Sequence, residues 1–95
     1  MSEKIIVIVK LDSKNGRNEE LYDLAKKLIK PINSELGCIH YELGCNNDGT
    51  VFEVMAFTDE NSHKIHLESK HVQSFLSEIK DLDVEIKTEK FKACT

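Results

Sequence analysis

Glu53 stands between Phe52 and Val54 in the run Thr50-Val-Phe-Glu-Val-Met-Ala-Phe57, and a carboxyl in so apolar a segment is costly to bury without a partner. The expected partner is a histidine of the segment that follows, His66 or His71. A carboxylate beside an imidazole holds the ring in one tautomer and raises its pKa, which makes a general base or proton shuttle. A structural role weighs equally: Glu53 and His66 form a clasp between sheet and helix, or His71 caps the helical turn that follows, because buried ion pairs perturb pKa values whether or not they do chemistry. His63 and His66 are three apart and share a helical face, with His71 beyond them. That spacing matches no zinc pattern, and no cysteine or carboxylate stands at a second ligand spacing. No metal is therefore expected, and His63 is read as a solvated surface residue.

Tyr41 could hydrogen-bond a phenolic or quinone oxygen, although an aromatic on an alternating strand more often packs in the core; Phe52, Phe57 and Phe75 are core or pocket wall. Cys38, Cys45 and Cys94 form no C-x-x-C pair, and their odd number leaves at least one outside any intramolecular disulfide. Cys38 and Cys45 lie in or beside a strand pattern and are read as inert packing residues, in a reducing compartment. Glycine-rich phosphate loops, nucleophile elbows and Ser/His/Asp arrangements are absent from the sequence, which disfavours nucleotide-dependent chemistry.

These side chains need elements to position them. Lys4-Ile-Ile-Val-Ile-Val-Lys-Leu11 is β-branched and apolar at five successive positions, the pattern of a strand covered on both faces. After the turn residues Asp12 to Gly16, apolar residues recur at Leu21, Leu24, Ala25, Leu28, Ile29 and Ile32, one face of a helix capped by Asn18 and ended or kinked near Lys30 by Pro31. Glu35-Leu-Gly37 reads as a turn. Cys38 to Leu43 is a second strand with Ile39, Tyr41 and Leu43 on one face. Asn46-Asn-Asp-Gly49 predicts a hairpin into the Glu53 strand. Asp59 or Thr58 caps a second helical region that breaks near Ser69-Lys70-His71, and Val84 to Phe91 alternates as a last strand with one protected face. The order β-α-β-β-α-β is the ferredoxin-like arrangement, an α+β fold with an antiparallel sheet and both helices on one face. Its bare face is expected to meet the same face of a second copy, giving a homodimer.

With 95 residues the chain holds one domain, residues 1–95, since independent cores rarely form in much less than about 50 residues each. Thirteen basic residues scattered among 17 acidic ones form no stripe for nucleic acid. The opening Met1 to Val9 is too short and too acidic for a signal peptide or a membrane span, so a cytoplasmic protein is expected.

Three stretches together resemble the antibiotic-biosynthesis-monooxygenase family: Gly37-Cys-Ile-His-Tyr41-Glu42, similar to its G-C-x-x-Y strand start; Phe52-Glu-Val54, similar to its Y-E-x-W strand; and His66-Leu-Glu-Ser-Lys-His71-Val-Gln-Ser-Phe75, similar to its H-x-x-S-x-H-x-x-x-F helix. The resemblance spans nearly the whole chain. It implies a dimeric α+β barrel with a pocket between sheet and helices, and by motif position it makes His66 the first choice to pair with Glu53. It implies catalytic roles for His66, Glu53 and His71, with Tyr41, Phe57 and Phe75 around a small-molecule substrate. Some members oxidise quinols or aromatic polyketides with molecular oxygen and no metal or flavin; others degrade haem, isomerise small signalling molecules or have no established activity. Haem degradation is disfavoured, since the chain has no tryptophan and its first strand, Ile5 to Leu11, has no asparagine. The leading expectation is a cofactor-independent monooxygenase of a quinol or polyphenol-like molecule. The alternatives are a non-oxidative isomerase and a non-catalytic binding or stress-associated module.

Overall fold

A computed structural model describes residues 3–94. The strands are β1 (Ile5–Ser13), β2 (Cys38–Cys45), β3 (Val51–Phe57) and β4 (Val84–Lys92); the helices are α1 (Asn18–Lys26), α2 (Ile29–Asn33), α3 (Glu60–Glu68) and α4 (Lys70–Glu78). All strand pairs are antiparallel, in the order β2-β3-β1-β4, as the expected arrangement requires. Alternate residues of β1 and β3, among them Ile5, Val7, Leu11, Val51, Met55 and Phe57, turn inwards and pack on Leu21, Ala25, Ile32, Phe75 and Ile79 of the helices. Among the described residues these side chains form one hydrophobic cluster.

The first helical stretch divides one turn earlier than expected. Lys27 and Leu28 bond back to Leu24 and Ala25 in tightened three-residue turns, and α2 starts afresh at Ile29. Pro31 lies in the first turn of α2, where a missing N–H costs nothing, while its ring forces the chain apart from the carbonyl four residues before it. Asn18 does not cap α1. Its side chain accepts from Ser13 N at 2.7 Å and donates to Asp12 Oδ1 at 2.9 Å, closing the β1–α1 turn. Asp59 caps α3 by accepting from Ser62 N, and Ser69, extended at ψ 151°, ends α3 and caps α4.

A bulge between Cys38 and His40 leaves Ile39 outside the ladder and 49% exposed, so it does not share the inner face with Tyr41. At the free edge of β2, Asn33 stands in for a strand: its side chain accepts from Tyr41 N and donates to Tyr41 O. Two other expectations fail. Cys45 is exposed at the end of β2 rather than packed, and β4, beyond Val84, is exposed on both faces. The outer sheet face carries Ile6 beside Ala56 and Phe91, and Ile8 beside Val54, with Val54 and Phe91 substantially exposed. Among the described residues no helix is long and apolar enough to cross a membrane.

Candidate active site

Between the inner sheet face and the helices lies a cavity of about 270 Å³. Val7, Val9 and Met55 form its floor, Phe75 and Val72 of α4 its roof, and Ile86 and Thr88 of exposed β4 its open side. Four polar side chains line this apolar space: Glu53, His63 and His66, with Thr88 at its open side. Glu53, His66 and Phe75 line this cavity together. Tyr41, Phe57 and His71 stand one layer behind its lining.

Glu53 and His66 are not partners. The Tyr41 hydroxyl donates to Glu53 Oε2, and His66 bonds instead to Glu35, a residue for which the sequence offered only a turn. The reason lies in the strand alternation. Glu53 and Tyr41 both point inwards from neighbouring strands, so the acid meets a hydroxyl before it can reach a helix. Burial raises the Glu53 pKa above the ordinary carboxylate value, with the Tyr41 bond a smaller opposing effect. Burial also pushes the Tyr41 hydroxyl well up, and the Glu53 charge adds to it. Glu53 is therefore held as a neutral acid over a range where a free glutamate ionises.

This has a stability consequence. The folded-state pKa of Glu53 lies above the unfolded value near 4.5, so between the two values the native state holds a proton that the unfolded state has lost. The stabilisation is complete below the unfolded pKa and is lost as pH rises through the folded one, by at most about 1.4 kcal/mol per pH unit. Urea unfolding of wild type and Glu53→Gln across pH 4 to 8 should show this decline in wild type and its removal in the variant; parallel curves refute it.

Glu35 follows α2, in the turn that leads to Gly37. Its carboxylate lies 2.9 and 3.1 Å from His66 Nδ1 and also bonds His71 Nε2. On a straight helix, residues five apart point about 140° away from each other. The break at Ser69 folds α4 back on α3 so that both rings converge on one carboxylate. An ionised carboxylate only accepts, so His66 Nδ1 carries the hydrogen and Nε2 is the bare nitrogen of the neutral ring. Burial lowers the His66 pKa, outweighing the opposing pull of Glu35; the expected upward shift is reversed because the ring is 4% exposed. His63 is buried too, contrary to its reading as solvated, and burial followed by the Lys90 charge lowers its pKa. Both rings rest against Phe57, with centroids 5.2 and 5.0 Å away, and lie nearly parallel to each other. Phe57 is thus a platform for the histidines.

Burial and the nearby Glu35 charge raise the Cys38 thiol pKa, which disfavours the thiolate and fits a packing role. Among the described residues, the group able to offer three metal ligands is Glu35, His66 and His71, whose ligand atoms all lie within 4.8 Å of one another. The carboxylate that spacing did not supply comes from the α2–β2 turn.

A family model described as antibiotic biosynthesis monooxygenase matches residues 4–78. The chain belongs to this family. A Pseudomonas aeruginosa protein superimposes with a TM-score of 0.91 over 100% of this chain and 98% of its own, at 20% identity. A Shewanella oneidensis protein does so at 0.87 over 98% and 93%, with 26% identity. A Deinococcus radiodurans protein, described as a candidate antibiotic biosynthesis monooxygenase, scores 0.87 over 96% and 93%, with 18% identity. No curated protein matches the sequence significantly. The match to the family model spans the stretches around Gly37, Glu53 and His66, and the Pseudomonas and Deinococcus structures, at such low identity, speak for the fold alone.

Proposed function

We propose that this family member is a monooxygenase that oxidises a small quinol or polyphenol-like aromatic with molecular oxygen and no prosthetic group. The observation that carries the reading is His66, its pKa lowered by burial, fixed through Nδ1 by Glu35, and lining an apolar cavity beside Glu53, whose pKa burial raises. A volume of about 270 Å³ suits one or two fused rings. His66 Nε2 takes a proton from a substrate hydroxyl, and the resulting electron-rich anion reduces oxygen. One oxygen atom enters the ring and the other leaves as water, so a quinol and O₂ give a hydroxyquinone and H₂O without an external reductant. Glu53 offers its proton as a hydrogen-bond donor to a substrate oxygen.

Oxygen uptake by purified protein, with reduced benzo- and naphthoquinones and product analysis, tests this. Turnover of a carbonyl substrate under strict anaerobiosis would assign the site to an isomerase, and saturable binding without turnover to a binding module.

The functional unit in this reading is a homodimer. Ile6, Ile8, Val54 and Phe91 make an apolar stripe on the outer sheet face of each chain, and a two-fold contact would cover it. Light scattering should give the mass of two chains for wild type and of one for Val54→Glu; a monomeric wild type removes the dimer.

A further inference from the structure

We infer that Glu35, His66 and His71 form a site for a divalent transition-metal ion of the zinc, cobalt or nickel class, and that its occupancy turns off the cavity-facing base. Two imidazole nitrogens and a carboxylate oxygen are ligands these borderline ions favour over magnesium or calcium. The three residues come from separate places, the α2–β2 turn, the end of α3 and the start of α4, yet their ligand atoms lie within 4.8 Å of one another. In a tetrahedron with bonds of about 2.0–2.1 Å, ligand atoms stand about 3.3 Å apart. The His66 to Glu35 separations of 2.9 and 3.1 Å are close to that edge, so a small outward shift of the carboxylate admits an ion. His71 is 29% exposed at its side chain while Glu35 and His66 are covered, which gives the ion an entry from solvent and a position for water.

The consequence for the base follows from proton counting. A neutral imidazole carries one hydrogen. Without metal, that hydrogen sits on His66 Nδ1 and points at Glu35, leaving Nε2 able to accept a proton. An ion on Nδ1 uses the lone pair there, so the hydrogen must sit on Nε2 and the cavity nitrogen becomes a donor. The binding part of this inference is independent of the proposed reaction; the loss of base function rests on it.

Tag-free protein stripped with chelator and titrated with Co²⁺ and Zn²⁺ provides the test. Wild type should bind one equivalent of Co²⁺ with a visible tetrahedral or five-coordinate spectrum. At tenfold excess over Kd, Zn²⁺ should raise Tm by roughly 5–10 °C. Binding should weaken at least about tenfold in Glu35→Gln and in His71→Ala, the latter at a partly exposed position where folding is checked by circular dichroism. It should be unchanged in His40→Ala, which removes the exposed histidine beside Glu42. In ¹⁵N spectra, Zn²⁺ should move His66 Nε2 from the unprotonated to the protonated shift, a change that a purely structural clasp would not undergo. No binding by wild type, or equal binding by wild type, Glu35→Gln and His71→Ala, overturns the site. Site-specific binding with no change at Nε2 overturns the switch. Zn²⁺ inhibition of oxygen uptake then reports on the proposed reaction separately, since the binding results stand without it.

Discussion

Replacing His66 by alanine should lower quinol-dependent oxygen uptake by roughly 10²–10⁴-fold, the range a positioned general base contributes. The loss should fall on kcat, because the apolar floor of Val7, Val9 and Met55, which would hold the ring of the proposed substrate, is untouched. Glu35→Gln should be less severe, on the order of 10²-fold, since the ring stays in place but loses the partner that dictates its tautomer. An amide can present its NH₂ to Nδ1, which drives the ring hydrogen to Nε2 and removes the acceptor from the cavity. Steady-state rates of both variants, with fold checked by circular dichroism, decide the matter. A His66→Ala variant with wild-type kcat would sink the proposed base, whereas an unchanged Glu35→Gln would leave the base but remove the role of Glu35 in setting its tautomer.

Gly37→Ala should destabilise the fold by about 2–4 kcal/mol, the sum of left-handed backbone strain and overpacking. Gly37 has φ of +90°, and a methyl there would stand 2.6 Å from Ser62 Cβ and closer still to its hydroxyl. The hydroxyl can rotate, but Cβ is fixed to the α3 backbone. The clash therefore separates the α2–β2 turn from α3 and draws Glu35 away from His66. Urea denaturation measures the loss. Adding Ser62→Gly should recover the steric share and leave the strain of the positive φ; a Gly37→Ala variant within 0.5 kcal/mol of wild type, the ordinary range for a surface substitution, would refute the close approach.

The chain's local patterns were enough to lay out the fold. Five apolar positions in β1, the Asn46 to Gly49 hairpin and the alternation of β4 each reflect forces between near neighbours in sequence, and they yield the element order and hence the sheet order. The cap at Asp59 or Thr58 was legible for the same reason, since a cap bonds a backbone group three residues away. The break near Ser69 was legible too, but the capping residue there is Ser69, and His71 bonds Glu35 instead. The helix break was misplaced because Pro31 acts through the carbonyl of the preceding turn, and Ile39 was misassigned because a bulge is a disagreement between two strands.

What the sequence determined by itself about the candidate site was its inventory: an acid in an apolar strand, and histidines near a helix break. Only the tertiary structure decided the pairing. Tyr41 reached Glu53 because the register of β2 against β3 set both on the inner face. Glu35 reached His66 across 31 residues because Gly37 lets the turn lie against α3, and reached His71 because Ser69 bends α3 into α4. The direction of the His66 shift was decided there too, since burial, which depends on every element that covers the ring, outweighs the single charge beside it. Spacing along a chain records which groups are available; which of them meet, and how much water they keep, is set by packing.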